Sequence, residues 1–535
     1  MSSKMSLPDP VADGVASGWR VLDGAAQTQD LQLSCDVLII GTGAGGGMTA
    51  EVLAQAGLDV LMVEEGALRT SRDFRLLEAK AYPELYQESA SRKTADKAIN
   101  ILQGRTVGGS TTVNWTSAFR TPPETLAWWG ERYGLQGLNP QAMAPWFDLA
   151  EARLGIADWQ TDPNPNNSVL ERGCQALGLK HGRIRRNVRG CWNLGYCGMG
   201  CATNAKQSML VTTIPGALQH RAGLLARARV DRLLPAADGK TLQGAEGSLL
   251  AADGHGLTGR KFAVRARHVV LAAGAIGSPA ILLRSQLGGA QVGRRTFLHP
   301  VVVSGAVMPQ RIEAYNGAPQ TVYSDHFMHT QPLDGPLGYK LEVPPVHPLL
   351  MGVTLSGFGA ASAGLMQQLP HLQVVLALLR DGFHPDSQGG QVRLRQDGSP
   401  ELDYPLNDVL WDGVRRSWLT MAELQFAAGA RQVQVLHEQA DLQSSWKATR
   451  AQILQLPLKP LLARVVSAHV MGGAAMSSQP EEGVVDEYGR HWQLRNLSII
   501  DGSVFPTSIG ANPQLSIYAF ALRAAHHLRD ALNRG

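Results

Sequence analysis

The chain has 535 residues, 44% hydrophobic and 18% charged, with 49 basic against 45 acidic side chains and a net charge of +4. That length calls for about two to four domains, and the composition is that of a globular protein with no low-complexity tract. The near-balanced charge, with no basic stripe interleaved with aromatics, excludes an electrostatic case for nucleic acid.

The first residues, MSSKMSLPDPVADG, contain no apolar h-region and no small-residue cleavage site, so no signal peptide is read and a cytoplasmic location is expected. Next comes a short continuous apolar run, DVLII, ending at Ile40, typical of a buried parallel strand. It enters the turn Gly41-Thr42-Gly43-Ala44-Gly45-Gly46-Gly47, after which a helix is expected over 48–56, stopping at Gly57. A second apolar run over 58–63 closes on Glu64-Glu65-Gly66, completing a strand, turn, helix, strand and acid.

Each part of this unit has a physical task. Gly41 permits the tight turn, Gly43 lets backbone approach a pyrophosphate, and Gly46 lets helix and strand pack closely. Free N–H groups at the helix start favour phosphate. Glu64, roughly 20 residues on, is placed to accept hydrogen bonds from ribose hydroxyls. Dinucleotide binding follows, without a choice between FAD and NAD.

Further along, Gln103 to Thr111 (QGRTVGGST) forms a second glycine and hydroxyl cluster. A buried strand over 268–273 (HVVLAA) leads into Gly274-Ala275-Ile276-Gly277-Ser278-Pro279, and a strand over 497–500 leads into Asp501-Gly502-Ser503. Such scattered strand-plus-turn elements predict a nucleotide-binding domain assembled from separated segments. From Val343 to Leu379 there is no Asp, Glu, Lys or Arg, yet prolines and glycines interrupt the run. A membrane span needs about 20 mainly apolar residues. The stretch is therefore read as buried core, as the wall of an apolar substrate cavity, or as a peripheral membrane contact.

Four motifs, GTGAGGG with VEEG, GRTVGGSTTVN, LAAGAIGSP, and the C-terminal pair SAHVMGG and IIDGSVFPTSIGANP, occur in an order that resembles the glucose–methanol–choline (GMC) oxidoreductases. The CGMGCATNAKQS segment is similar to that of long-chain alcohol oxidases and related bacterial dehydrogenases. The resemblance implies an α/β fold: a discontinuous FAD-binding Rossmann-like domain (segments 31–120, 216–300 and 461–535) and a second, α+β substrate domain. Residues 121–215 would supply the cap with the cysteines, and 301–460 the substrate-binding part.

The resemblance also implies that FAD is held without a covalent tether, since members that tether it place a His near the position of Val113. Gly108, Gly109, Ser110 and Asn114 would lie against the isoalloxazine, Gly274 would belong to the cofactor loops, and Asp501 would contact the ribityl or diphosphate region. Taken alone, Asp501 reads as a helix N-cap or turn residue; in its motif the cofactor role is favoured. The Val230 backbone would meet the adenine. His469 and Asn512 occupy the positions of the catalytic pair, and His299 in GRRTFLHP reads as structural. Imidazole suits removal of a hydroxyl proton while hydride leaves to flavin N5. A carboxamide can donate to the developing alkoxide.

Cys191, Cys197 and Cys201 form a tight thiol group. Three such thiolates can hold an iron–sulfur cluster or zinc, form a redox disulfide, or serve as buried apolar side chains. The expected activity is oxidation of a bulky hydrophobic alcohol, with oxygen, a quinone or a cytochrome as electron acceptor and, in the acceptor-linked case, a small partner subunit. The alternatives are a dehydrogenase using the cysteines as electron exit, a lyase of the same family, and an electron-transfer flavoprotein subunit.

Overall fold

The computed structural model describes residues 7–355 and 357–534. Met1 to Ser6, part of the stretch read above for a signal peptide, lie outside them, as does Ser356 within the uncharged stretch.

Two large sheets organise the chain. In space the first runs Val21–Asp23, Gly223–Ala226, Val60–Val63, Leu31–Ile40, Leu257–Leu271, Leu242–Leu250, Ala228–Pro235, with Leu497–Ile499 added parallel to Leu257–Leu271. Its centre is parallel, with Val37 opposite Val60 on one side and His268 on the other. Val37, Leu38, Ile39, Val60, Met62, Val269 and Val270 are completely buried, which is why these strands read as unbroken apolar runs. The helix Ala44–Gln55 covers one face and packs on the C-terminal helix Gln514–Arg534. Strand order reverses between Leu31–Ile40 and Leu257–Leu271, where ligands of open α/β sheets bind.

The helix begins at Ala44, four residues before the expected start. Glycine is a poor helix former, which hid Gly45, Gly46 and Gly47 in the sequence. Packing decides the case: a Cβ at Gly45 would run into the carbonyl of Ile500, and one at Gly46 into that of Gly41. Only a bare helix face can lie so close to the sheet.

The second sheet orders Ile99–Ile101, Val465–Ser467, Val301–Val307, Leu372–Leu379, Tyr339–Glu342, Val322–Ser324 and Gly182–Arg183, with Gln432–Val435 also paired to Val301–Val307. The long helix Asp408–Ala427, capped by the Asn407 side chain, packs on its outer face, burying Trp418 and Met421 against Tyr339, Leu341, Val375 and Ala377. Side chains alternate along a strand. Lys340, Glu342, Leu376 and Leu378 therefore point the other way, toward the first sheet, with Lys340 opposite Leu378 and Glu342 opposite Leu376. Ile99–Ile101 thus joins the second sheet, although it lies inside the segment expected to belong to the cofactor domain.

The uncharged stretch forms two helices, Pro348–Thr354 and Gly359–Gln367, before entering the wholly buried strand Leu372–Leu379. Part of it is therefore core, whereas Val353 and Phe358 stand exposed, Phe358 at 92%. Among the described residues no helix is long and apolar enough to cross a membrane.

Candidate active site

Two glycine loops meet at the head of the first sheet. Gly41 has φ +100°, and its N–H donates to Val63 O at 2.8 Å. Gly43 caps the helix with no side-chain hydrogen bond at that end. A Cβ there would find only Gly109 Cα, at 3.9 Å. Gly108 and Gly109 both adopt positive φ, +89° and +54°. The bare helix N-terminus and the missing side chains leave a cradle that fits a pyrophosphate.

Thr42 ties the loops together. Its N–H and hydroxyl donate to Glu64 Oε2 at 3.0 and 2.7 Å, and its Oγ1 accepts from Gly108 N at 2.9 Å. Gly66 N donates to Glu64 Oε1 at 2.9 Å. Glu64 is buried, and burial pushes its pKa up against these hydrogen bonds. Ser110 Oγ accepts from Gly104 N at 2.9 Å. Asp501 accepts from Gly274 N, Ser278 Oγ and Ser503 N at 2.9, 2.6 and 2.8 Å, so it caps the following turn and binds it to the start of helix Gly274–Arg284. Val230 is buried, and its carbonyl accepts from Arg284 Nη2 at 3.1 Å.

His469 follows the strand Val465–Ser467, and its Nδ1 lies 3.1 Å from Nδ1 of His299. His299 is buried with φ +48°, a conformation that needs support from its surroundings. The buried Asp381 provides it, accepting from His299 N at 2.9 Å, Leu298 N at 3.0 Å and Tyr404 OH at 2.7 Å. His299, read from sequence as structural, therefore directly contacts the candidate base. Burial, with the Lys340 charge adding to it, pushes the His469 pKa down to about 3. Burial also holds His299 well below the ordinary imidazole value, with the nearby His469, Lys340 and Arg380 adding to it. Both imidazoles are neutral at ordinary pH.

Asn512 is held at both ends. Its Oδ1 accepts from Lys340 Nζ at 3.1 Å, and its Nδ2 donates to Glu342 Oε2 at 3.0 Å. Lys340 and Glu342 form a buried ion pair at 3.0 Å, their side chains 3% and 0% exposed. Gln320 Nε2 donates to Glu342 Oε2 at 2.6 Å, and Ser117 Oγ donates to Gln320 Oε1 at 2.7 Å. Gln514 Nε2 donates to Ser117 O at 2.7 Å, and Asn114 Nδ2 donates to Gln514 Oε1 at 2.7 Å. A polar chain thus links Asn114, beside the second glycine loop, to Asn512. Sequence reading missed Lys340, Glu342, Gln320 and Gln514. The available signal was Lys-Leu-Glu in an otherwise apolar strand, which puts both charges on one face.

The cysteine loop lies behind Asn114. Lys206 is buried, and its Nζ donates to Thr112 O, Asn114 O and Cys197 O at 2.8, 2.7 and 2.7 Å, pinning the loop to the glycine segment. Cys191 Sγ accepts from Asn193 N and Cys201 Sγ from Lys206 N, both at 3.4 Å, while Arg186 Nη2 stands 4.0 Å from Cys197 Sγ. All three thiols are free and half-buried. Among the described residues no group of three or more His, Cys, Asp or Glu side chains is placed to hold a metal ion. The iron–sulfur and zinc readings of Cys191, Cys197 and Cys201 therefore gain no support from the placement of these side chains.

The structure thus presents a dinucleotide cradle, a polar chain from it to the Asn512 carboxamide, and the His469 imidazole, and the family matches make the chain an FAD-dependent oxidoreductase acting on CH–OH donors. The family profiles described as GMC oxidoreductase match residues 82–301 and 385–521, and one described as FAD binding domain matches 34–75. The chain belongs to the GMC oxidoreductases. It is 28% identical to a long-chain-alcohol oxidase of Arabidopsis thaliana, over 94% of this chain and 70% of that protein. An uncharacterized GMC-type oxidoreductase of Sinorhizobium fredii is also 28% identical, over 94% of this chain and 96% of its own length. In fold the chain matches formate oxidase of Aspergillus oryzae with a TM-score of 0.69 at 15% identity, covering 94% of this chain and 99% of that one. Pyridoxine 4-oxidase from Mesorbium loti matches with a TM-score of 0.64 at 19% identity, covering 92% and 99%.

Proposed function

We propose that this chain oxidises the CH–OH group of a bulky hydrophobic alcohol, long-chain or ring, to an aldehyde or ketone, with non-covalently bound FAD. The observation that carries this reading is that Lys340 stands near both a neutral His469 and an Asn512 carboxamide whose oxygen it has already taken. FAD, when bound, accepts the hydride at flavin N5. The hydroxyl proton passes to His469 Nε2, the nitrogen that does not face His299. Asn512 keeps one N–H beyond the one given to Glu342, and this N–H donates to the oxygen as it gains charge. The carbon loses hydride, the oxygen loses a proton, and a carbonyl results.

The cradle of Gly41, Gly43, Gly46, Gly108 and Gly109 would hold the pyrophosphate, with Glu64 at a ribose and the Val230 backbone at the adenine. Ser110 and Asn114 would border the flavin ring. Asp501 would act through the Gly274 and Ser503 backbone it positions.

Support for a hydrophobic substrate comes from the inner face of the second sheet. There Val301, Leu376 and Leu378 cluster with Trp115, Val303 and Val466. Leu376 and Leu378 belong to the uncharged stretch, which on this reading supplies part of the substrate wall. The long-chain-alcohol oxidases among the relatives point the same way. Steady-state turnover across alcohols of increasing chain length and across polyols tests the substrate class. A preference for long or ring alcohols is expected, and turnover confined to small polyols would contradict it.

A further inference from the structure

We propose that the buried Lys340–Glu342 ion pair is a positioning device that fixes the orientation of the Asn512 carboxamide, so that only an N–H faces the alcohol oxygen. The inference rests on the reading of Asn512 as the alkoxide donor.

A carboxamide has two nearly isosteric ends, and reversing it would present a carbonyl oxygen to a developing anion. Nothing in the Asn512 side chain itself prevents that. Lys340 and Glu342 do, because an ammonium accepts nothing and a carboxylate, when ionised, donates nothing. Asn512 Oδ1 must face Lys340 Nζ, at 3.1 Å, and Nδ2 must face Glu342 Oε2, at 3.0 Å. Reversal would set carbonyl against carboxylate and N–H against ammonium, a buried mismatch at both ends.

The surroundings strengthen this choice. Lys340 lies over the rings of Phe119 and Tyr323, and its strand neighbour across the sheet is Leu378. Charges in so apolar a setting interact strongly with their neighbours. Gln320 donates to the same Glu342 oxygen as Asn512, and Ser117 in turn orients Gln320. The pair therefore stands on its own supports, and Asn512 is the member it aims. A buried ion pair is weak support for stability, whereas one that dictates which way an amide points has a consequence for the reaction.

The test uses FAD-loaded protein and anaerobic single-turnover flavin reduction by a long-chain alcohol. Lys340→Met alone leaves a buried carboxylate unpaired and can fail to fold, so the charge-neutral Lys340→Met/Glu342→Gln double variant is the main probe, with FAD content and melting temperature as controls. With the amide free to reverse, the reduction rate is expected to fall about 10²-fold, with a smaller change in the alcohol concentration at half-saturation. The same double substitution in an Asn512→Ala background is expected to cost less than about threefold, because the pair then has nothing to aim. A parental rate in the double variant, or an unchanged penalty in the Asn512→Ala background, would overturn the proposal while sparing Asn512. A parental rate in Asn512→Ala alone would overturn the reading of Asn512 itself.

Discussion

Replacing His299 by Leu should slow hydride transfer without destabilising the protein. Two neutral imidazoles facing each other through Nδ1 share a single proton between those atoms. If His469 is to take a proton at Nε2, its Nδ1 must carry hydrogen and donate to His299, whose own proton then sits on Nε2. Among the described residues His299 Nε2 is buried with no hydrogen-bond partner. Leucine is close in volume and removes that unsatisfied group, which offsets the loss of the 3.1 Å contact between the rings. Stability should stay level or rise. The lost hydrogen bond no longer favours the reactive tautomer of His469, at a cost of about 0.5–1.5 kcal/mol, or about two- to twelvefold in rate. His469→Ala, which removes the base, should cost about 10²–10⁴-fold. The assay is anaerobic stopped-flow loss of oxidised-flavin absorbance, with a denaturant melt beside it. A His299→Leu enzyme that reduces flavin at the parental rate would refute the argument, as would one that melts several kcal/mol easier.

Other outcomes follow from the same geometry. His469 acts as base only when unprotonated, and its pKa is pushed down to about 3, so flavin reduction should hold level through mildly acid pH and fail only as pH drops through that value. A rate titrating near pH 6.5 would show that the burial and Lys340 charge around His469 do not act as described. Gly43→Ala should fold, since its Cβ meets nothing nearer than 3.9 Å, yet purify without FAD because the methyl occupies the pyrophosphate approach. Gly46→Ala, whose Cβ runs into the Gly41 carbonyl, should lower the melting temperature as well. Lys206→Met strips the donor from three carbonyls, at about 1–3 kcal/mol for each one left buried and unmet. It should loosen FAD binding, measured by fluorescence titration.

The first glycine loop was legible in the sequence because its parts are contiguous: Gly41 to Gly47 sit between two short apolar runs, and local chemistry gives Gly41, Gly43 and Gly46 a task each. The helix start was misplaced for the same local reason, since Gly45 to Gly47 look unhelical until the Ile500 and Gly41 carbonyls lie against them. His469 and Asn512 were readable only through resemblance to a family. What surrounds them was not. Lys340 and Glu342 meet Asn512 across 172 and 170 positions, and His299 meets His469 across 170. Nothing in the spacing of one strand records such contacts. Close spacing of Cys191, Cys197 and Cys201 suggested a shared ligand, and among the described residues these side chains are not placed to hold a metal ion.

The most direct test of the central claim is a visible spectrum of the FAD-loaded protein under anaerobic conditions, before and after addition of a long-chain alcohol. The flavin bands are expected to bleach on addition, with the aldehyde formed in equal amount to flavin reduced. Flavin that stays oxidised with long-chain and ring alcohols alike, in protein shown to be folded and loaded, would contradict the claim.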